Sequence, residues 1–244
     1  MTDPTTELSQ AQVDSYREDG FLALDRITTD EEVDRLVDVY DRLFTTRTDR
    51  DERKELAATD EEGNETLPQV NGASEYEPDL LETRYFDNAS AIAERLLGEE
   101  AEFRGDHAIR KPAGDGAETP WHQDEAYWDP TLEYDALSFW LPLQEATVEN
   151  GCMQFVPGSH DRDVLPHHRL GGDAEGLEVD DPGAYAADAT ACELPAGGAT
   201  VHDSRTLHYT GPNRTARPRR AYILIFGTPP RERDQPRDFY WQEE

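Results

Sequence analysis

Lysine is almost missing from this chain. Its 244 residues hold two, Lys54 and Lys111, and Lys and Arg together number 23 against 54 Asp and Glu. A net charge of −31 repels nucleic acid and anionic membrane surfaces, so neither is an expected partner. The acids lie between apolar segments along the whole chain rather than in one tail, which is a halophile's pattern, because molar salt shortens the Debye length to about 3 Å and screens the self-repulsion. Cysteine is scarce as well. Cys152 and Cys192 are too few for a disulfide framework and read as small buried thiols. No apolar run approaches the roughly 20 residues needed to cross a bilayer, and the polar start has no apolar signal-peptide core, so a cytoplasmic protein is expected.

What remains is enough for one well-buried core, and a single domain spanning residues 1–244 is expected, helical over about 1–100 and built of strands over about 101–230. Residues 9–18 read as a helix stopping at Gly20, followed by a strand over residues 21–24. Thr29 and Glu32 have capping-box spacing ahead of Val33, Leu36, Val37, Tyr40, Leu43 and Phe44, which recur on one helical face. Residues 45–75 are polar and acidic and read as a mobile excursion. A further helix is expected over residues 90–97, ending at Gly98. Beyond residue 100 come short apolar runs bounded by Gly, Pro and Asp, at 137–143, 152–156, 199–208 and 221–227. Helices followed by many short strands suggest an antiparallel sandwich or barrel. The Gly-, Asp- and Pro-rich stretch 161–188 reads as a lid or binding loop.

The chemistry concentrates in two places. Thr119-Pro120-Trp121-His122-Gln123-Asp124-Glu125 places an imidazole and a carboxylate at i and i+2, which share a face in an extended chain. Two histidines and one carboxylate on adjacent corners of an octahedron leave positions open, as non-haem iron oxygenases require. His208 ends a strand and is the best third ligand, with His202, His160 and the pair His167-His168 as rivals. His202 would share the face of His208 if residues 199–208 formed one strand. After His208, four arginines fall within seven residues (Arg214, Arg217, Arg219, Arg220), just ahead of an apolar strand. One of them is a counter-charge for an anionic co-substrate; the others read as surface ion pairs. Trp121, Tyr127 and Trp128 flank the metal segment and read first as packing.

These residues resemble the phytanoyl-CoA dioxygenase family. Tyr16-Arg17-Glu18-Asp19-Gly20-Phe21 is similar to its helix-to-strand entry, and Trp121-His122-Gln123-Asp124 to its proximal ligand segment. Glu149-Asn150-Gly151-Cys152 with Pro157-Gly158-Ser159-His160 resembles its central hairpin, and His208 with Gly211, Asn213 and Arg219 its distal motif. The resemblance implies a mainly β fold, a double-stranded β-helix (jelly-roll or cupin-like barrel) with flanking N-terminal helices. It implies iron(II) held by His122, Asp124 and His208, and 2-oxoglutarate anchored by Arg219, eleven residues past His208, and contacted by Lys111. O₂ is the further co-substrate, and a small or lipid-derived molecule is hydroxylated. His160 and His202 become supporting residues. Asp124 stands where the family's halogenases carry a small residue, which implies hydroxylation, and residues 125–130 depart from the run that follows the metal-binding Asp in the ectoine-hydroxylating subgroup. Two other readings stay open: a cupin-like enzyme using another divalent metal without 2-oxoglutarate, and a non-catalytic barrel that binds a ligand.

Overall fold

The computed structural model describes residues 3–45, 67–114, 117–171 and 176–242. Most of the expected excursion lies in 46–66, outside the described residues; its end does not, since Leu67 is buried and a short strand follows.

Three helices come early: α1 (Gln10–Asp19), α2 (Asp30–Thr45) and α3 (Arg84–Leu97). Ser9 and Gln12 form a reciprocal capping box on α1, and Gly20 closes it in the left-handed region at φ 81°. At α2, Thr29 Oγ1 accepts from Glu32 N at 3.2 Å, but the Glu32 carboxylate does not return to the cap. It takes the amides of Arg84 and Tyr85 at 2.9 and 3.0 Å and ties the start of α3 to α2. That helix begins six residues before the expected start at 90. Thr83 caps it by accepting from Phe86 N, and Tyr85, Ala89, Ile92 and Ala93 extend its buried face.

The strands are β1 (Phe21–Leu24), β2 (Gln69–Asn71), β3 (Glu102–Lys111), β4 (Thr119–His122), β5 (Leu132–Glu133), β6 (Ala136–Pro142), β7 (Met153–Phe155), β8 (His167–Arg169), β9 (Leu177–Val179), β10 (Thr190–Cys192), β11 (Ala199–Asp203), β12 (His208–Thr210), β13 (Arg219–Gly227) and β14 (Arg231–Glu232). A six-stranded antiparallel sheet runs β1-β11-β6-β13-β3-β2, and a four-stranded one β10-β7-β12-β4. The protein is thus mainly β, with its strands in separately bonded sheets rather than in one closed ladder. β1 and β2 bring parts of the N-terminal region into the sheet beside the three helices.

One face of the large sheet carries Ala108, Phe139, Leu141, Tyr222, Leu224 and Phe226 and packs on the three helices. Its other face carries Trp140, Ala221 and Ile223 and meets Met153, Phe155, Cys152 and Cys192 from the small sheet's side. Both thiols are free and buried there, and burial pushes them up to about 11 and about 12. The period-two alternation of β6 and β13 therefore divides helix-facing from cavity-facing residues.

Two expectations change here. Residues 199–208 are not one strand: the chain leaves the large sheet at Asp203 and enters the small one at His208, because Gly20 O captures Asp203 N at 2.9 Å and Thr206 Oγ1 at 2.7 Å and turns it. The stretch 161–188 is not structureless either, since β8 and β9 pair as a hairpin and a short helical turn, Gly183–Ala186, follows; residues 172–175 lie outside the described residues. Among the described residues no helix is long and apolar enough to cross a membrane.

Gly20 is one position where this architecture leaves no room for a side chain. A Cβ there would stand 2.4 Å from His160 Nδ1 and 2.6 Å from Thr206 Oγ1, at a positive φ. Gly20→Ala should destabilise the fold by about 1–3 kcal/mol. Urea unfolding reads this directly, and an unchanged midpoint would refute the packing described.

Candidate active site

β12 lies between β7 and β4, with His208 opposite His122, so the two imidazoles project from neighbouring strands with ring centroids 4.2 Å apart. Asp124 is two residues beyond His122 but not on an extended chain. Gln123 is extended, and a 3₁₀ turn, Asp124–Tyr127, then swings the carboxylate back over the strand. That turn is strapped from the C-terminus: Trp241 Nε1 donates to Ala126 O at 3.0 Å, and Arg237 Nη1 to the buried Glu125 carboxylate at 2.5 Å.

Each imidazole is oriented through its far nitrogen. His122 Nδ1 lies 2.7 Å from Pro120 O and His208 Nδ1 2.8 Å from Thr206 O, so each Nδ1–H donates to a carbonyl and each Nε2 keeps its lone pair. Both Nε2 atoms face Asp124 Oδ1, at 3.7 and 3.5 Å. The three side chains can each offer one ligand atom within 4.8 Å of one another. Burial holds His122 and His208 below the usual imidazole range, neutral and ready to ligate. Burial alone would raise Asp124, but the imidazoles of His208, His202 and His122 around it outweigh that, and it stays ionised. Two neutral imidazoles and an ionised carboxylate fit an iron(II) ion.

The other carboxylate oxygen is also held. Ser138 Oγ donates to Asp124 Oδ2 at 2.8 Å, and His202 Nε2 stands 3.4 Å away. This division keeps Oδ1 for a metal and occupies Oδ2, favouring one-oxygen ligation that leaves coordination positions open. Ser138→Ala should weaken iron(II) binding about 10-fold while leaving the apo fold intact, in line with other partners of metal ligands. A competition titration with a metal indicator would expose the error if affinity were unchanged.

The rival histidines separate. His202 joins the site beside Asp124, buried and with neither ring nitrogen hydrogen-bonded to any described residue. His160 packs behind Gly20 and places Nε2 3.1 Å from Arg17 O. His167 accepts from Gln123 N and is pushed down to about 4, chiefly by burial, while His168 is half-exposed beside Asp180 and Glu178.

Of the four clustered arginines, Arg219 enters the cavity. It is 1% exposed, its Nε and Nη1 have no hydrogen-bond partner among the described residues, and its guanidinium lies 5.3 Å from the centre of the Trp140 ring. Burial lowers it to about 10, so it remains charged at neutral pH. Arg220 faces the other way and pairs with Asp41. The cavity is lined by the triad, Arg219, His202, Ser138 and Thr210 together with Ile109, Trp140, Met153 and Ile223. Lys111 lies opposite Arg219 but offers the cavity no donor, because its ammonium bonds Thr210 O, Thr210 Oγ1 and Gly211 O at 3.1, 2.7 and 2.7 Å. The expected co-substrate contact gives way to a brace behind Thr210.

With this geometry in place, comparison with known proteins is decisive. The model of the family described as phytanoyl-CoA dioxygenase (PhyH) matches residues 16–221. The chain belongs to the phytanoyl-CoA dioxygenase family. As a member it is an iron(II)- and 2-oxoglutarate-dependent dioxygenase. It is 28% identical over 236 residues to an ectoine dioxygenase of Bordetella bronchiseptica, covering 91% of this chain and 76% of that one. It is 28% identical over 153 residues to an L-proline trans-4-hydroxylase of Streptomyces griseoviridis, covering 62% and 54%. The crystal structure of EvdO2 from Micromonospora carbonacea var. aurantiaca complexed with 2-oxoglutarate superposes with a TM-score of 0.85 at 39% identity, over 98% of this chain and 99% of that one.

Sequence reasoning passed over several residues of this family member's cavity. His107 lines it from β3, with no hydrogen bond from its ring to any described residue, and Ser138 and Trp140 line it from β6. The usable signal was alternation. Once Arg219 is placed inside, the register sets Ile223 opposite His107 and Ala221 opposite Ile109 on the same face.

Proposed function

We propose that this protein is a hydroxylase that couples decarboxylation of 2-oxoglutarate to insertion of one oxygen atom into a C–H bond of a small-molecule substrate. His122, Asp124 and His208 would hold the iron and Arg219 the far carboxylate of 2-oxoglutarate. The observation that carries the reading is Arg219, a buried guanidinium with two unpartnered nitrogens in the same cavity as the triad. A buried charge is costly until paired, and a dicarboxylate reaching from the metal would pair it. A metalloenzyme without 2-oxoglutarate gives this side chain no role.

Iron bound there would supply the redox chemistry that turns O₂ and 2-oxoglutarate into succinate, CO₂ and an oxidant able to attack a C–H bond. The chain's own residues do the positioning. The carbonyls of Pro120 and Thr206 fix both imidazoles, Ser138 fixes the carboxylate, and Lys111 fixes Thr210 in the wall. Ile109, Trp140, Met153 and Ile223 give the co-substrate an apolar sleeve that excludes water. We read the two sheets as a double-stranded β-helix in one domain spanning residues 1–244, working in a salt-rich cytoplasm.

The test is succinate formation from 2-oxoglutarate by the purified protein in molar KCl, with and without iron(II). Slow iron-dependent release in the absence of substrate is expected; none from a folded, iron-loaded sample would refute the reading.

A further inference from the structure

A second cavity lies next to the first along the same strands. On β6 the first is lined by Trp140 and Ser138 and the second by Ala136, the next position on that face. On β13 the first is lined by Arg219 and Ile223, and the second by Ile225 and Gly227. One such step is about 7 Å of strand, so the second cavity opens about 7 Å from Ser138, whose hydroxyl touches Asp124. Arg219 lies at the opposite end of β13. The second cavity is therefore on the far side of the triad from the 2-oxoglutarate anchor.

Its walls are selective. Trp128 and Tyr134 meet edge to face, with centroids 4.9 Å apart, and Ala136, Ile225 and Pro230 complete an apolar surface. The polar exceptions are Thr228 and Arg104, and Arg104 owes its place to a β-bulge. Ile225 pairs with Gly105 but Phe226 with Phe103, so Arg104 is an extra residue with no partner on β13. Asp106 and Ala108 point to the helix side, as does Phe103, whose ring packs on Phe86 of α3. Without the bulge Arg104 would not share the inward face with His107; bulges beside active sites re-aim side chains in this way. Its Nε donates to Gly227 O at 3.1 Å, and Nη2 lies 3.7 Å from the carboxylate of Glu102, itself 67% exposed. So long and solvated an ion pair is weak and leaves the guanidinium fork available to a better acceptor.

We propose that this second cavity is the substrate chamber and takes a small cyclic carboxylic acid, its ring against Trp128 and Tyr134 and its carboxylate on Arg104. The proposal rests on the oxygenase reading and names the substrate class for it. A ring held in this way presents an edge C–H toward Ser138 and the triad.

The experiment is calorimetric titration, under argon, of protein carrying iron(II) and saturating 2-oxoglutarate, with cyclohexanecarboxylate and cyclohexylmethanol as probes. The acid should bind about ten-fold tighter than the alcohol, and Arg104→Gln should abolish that difference by weakening the acid alone, as expected for loss of one charged hydrogen-bonding partner. Ala136→Phe, which fills the chamber, should weaken both probes, and Trp128→Ala serves if that variant does not fold. Equal binding of acid and alcohol, or an acid preference that survives Arg104→Gln, overturns the proposal. Failure of the oxygenase reading shows separately, as absence of iron-dependent succinate from the wild-type protein.

Discussion

Asp124→Ala should abolish succinate formation while leaving the protein folded. Asp124 begins a short turn rather than filling the core, and that turn is held independently by Trp241 and Arg237. In the apo protein its carboxylate accepts a hydrogen bond from Ser138, and the imidazoles of His208, His202 and His122 around it hold it ionised. Losing those contacts should cost the apo protein about 1–3 kcal/mol, short of unfolding it. Removing one of three ligands, however, leaves two imidazoles that cannot hold a divalent ion in fixed geometry. Thermal unfolding with and without metal separates these effects. Wild type should gain about 2.7 kcal/mol when iron(II) is present at 100 times its dissociation constant, whereas the variant should gain nothing at that concentration. A variant that keeps wild-type turnover, or still gains stability from the metal, would remove Asp124 from the ligand set.

How far the site can be read without the structure depends on how local each signal is. His122 and Asp124 are two residues apart, so spacing alone brings that pair forward, whereas His208 and Arg219 are singled out among rival histidines and arginines by the resemblance to the family's distal motif. The three-dimensional arrangement supplies what spacing cannot. His202 and His208 look equivalent on one strand, and only the turn captured by Gly20 places them in different sheets, beside the same carboxylate but in different relation to it. His107 and Ser138 carry no motif. Their importance follows from which face of β3 and β6 turns inward, and on β3 the phase is shifted by the bulge at Arg104, which no local pattern reveals. Lys111 was noticed for its rarity, yet rarity says nothing of direction, and its ammonium is engaged by Thr210 and Gly211. The start of α3 was missed because Thr83 and Glu32, 51 positions apart in sequence, share the capping of its first turn.

Arg219→Ala should raise the 2-oxoglutarate requirement by roughly two orders of magnitude, the usual cost of about 2–5 kcal/mol for truncating one partner of a buried charged pair. The maximal rate at saturating 2-oxoglutarate should fall far less, because the far carboxylate is gripped equally before and during the reaction. The same substitution should not destabilise the apo protein. Its guanidinium is buried with Nε and Nη1 unpaired, and the ring of Trp140 at 5.3 Å compensates it only in part. Arg219→Lys should restore little: an ammonium cannot reproduce the two-pronged grip on a carboxylate, and burial already lowers even the arginine to about 10. Initial rates across a 2-oxoglutarate series, with thermal unfolding of each apo variant, test both halves. An unchanged co-substrate requirement would transfer the anchoring role elsewhere. A large loss of apo stability would mean that Arg219 serves the fold before it serves the ligand.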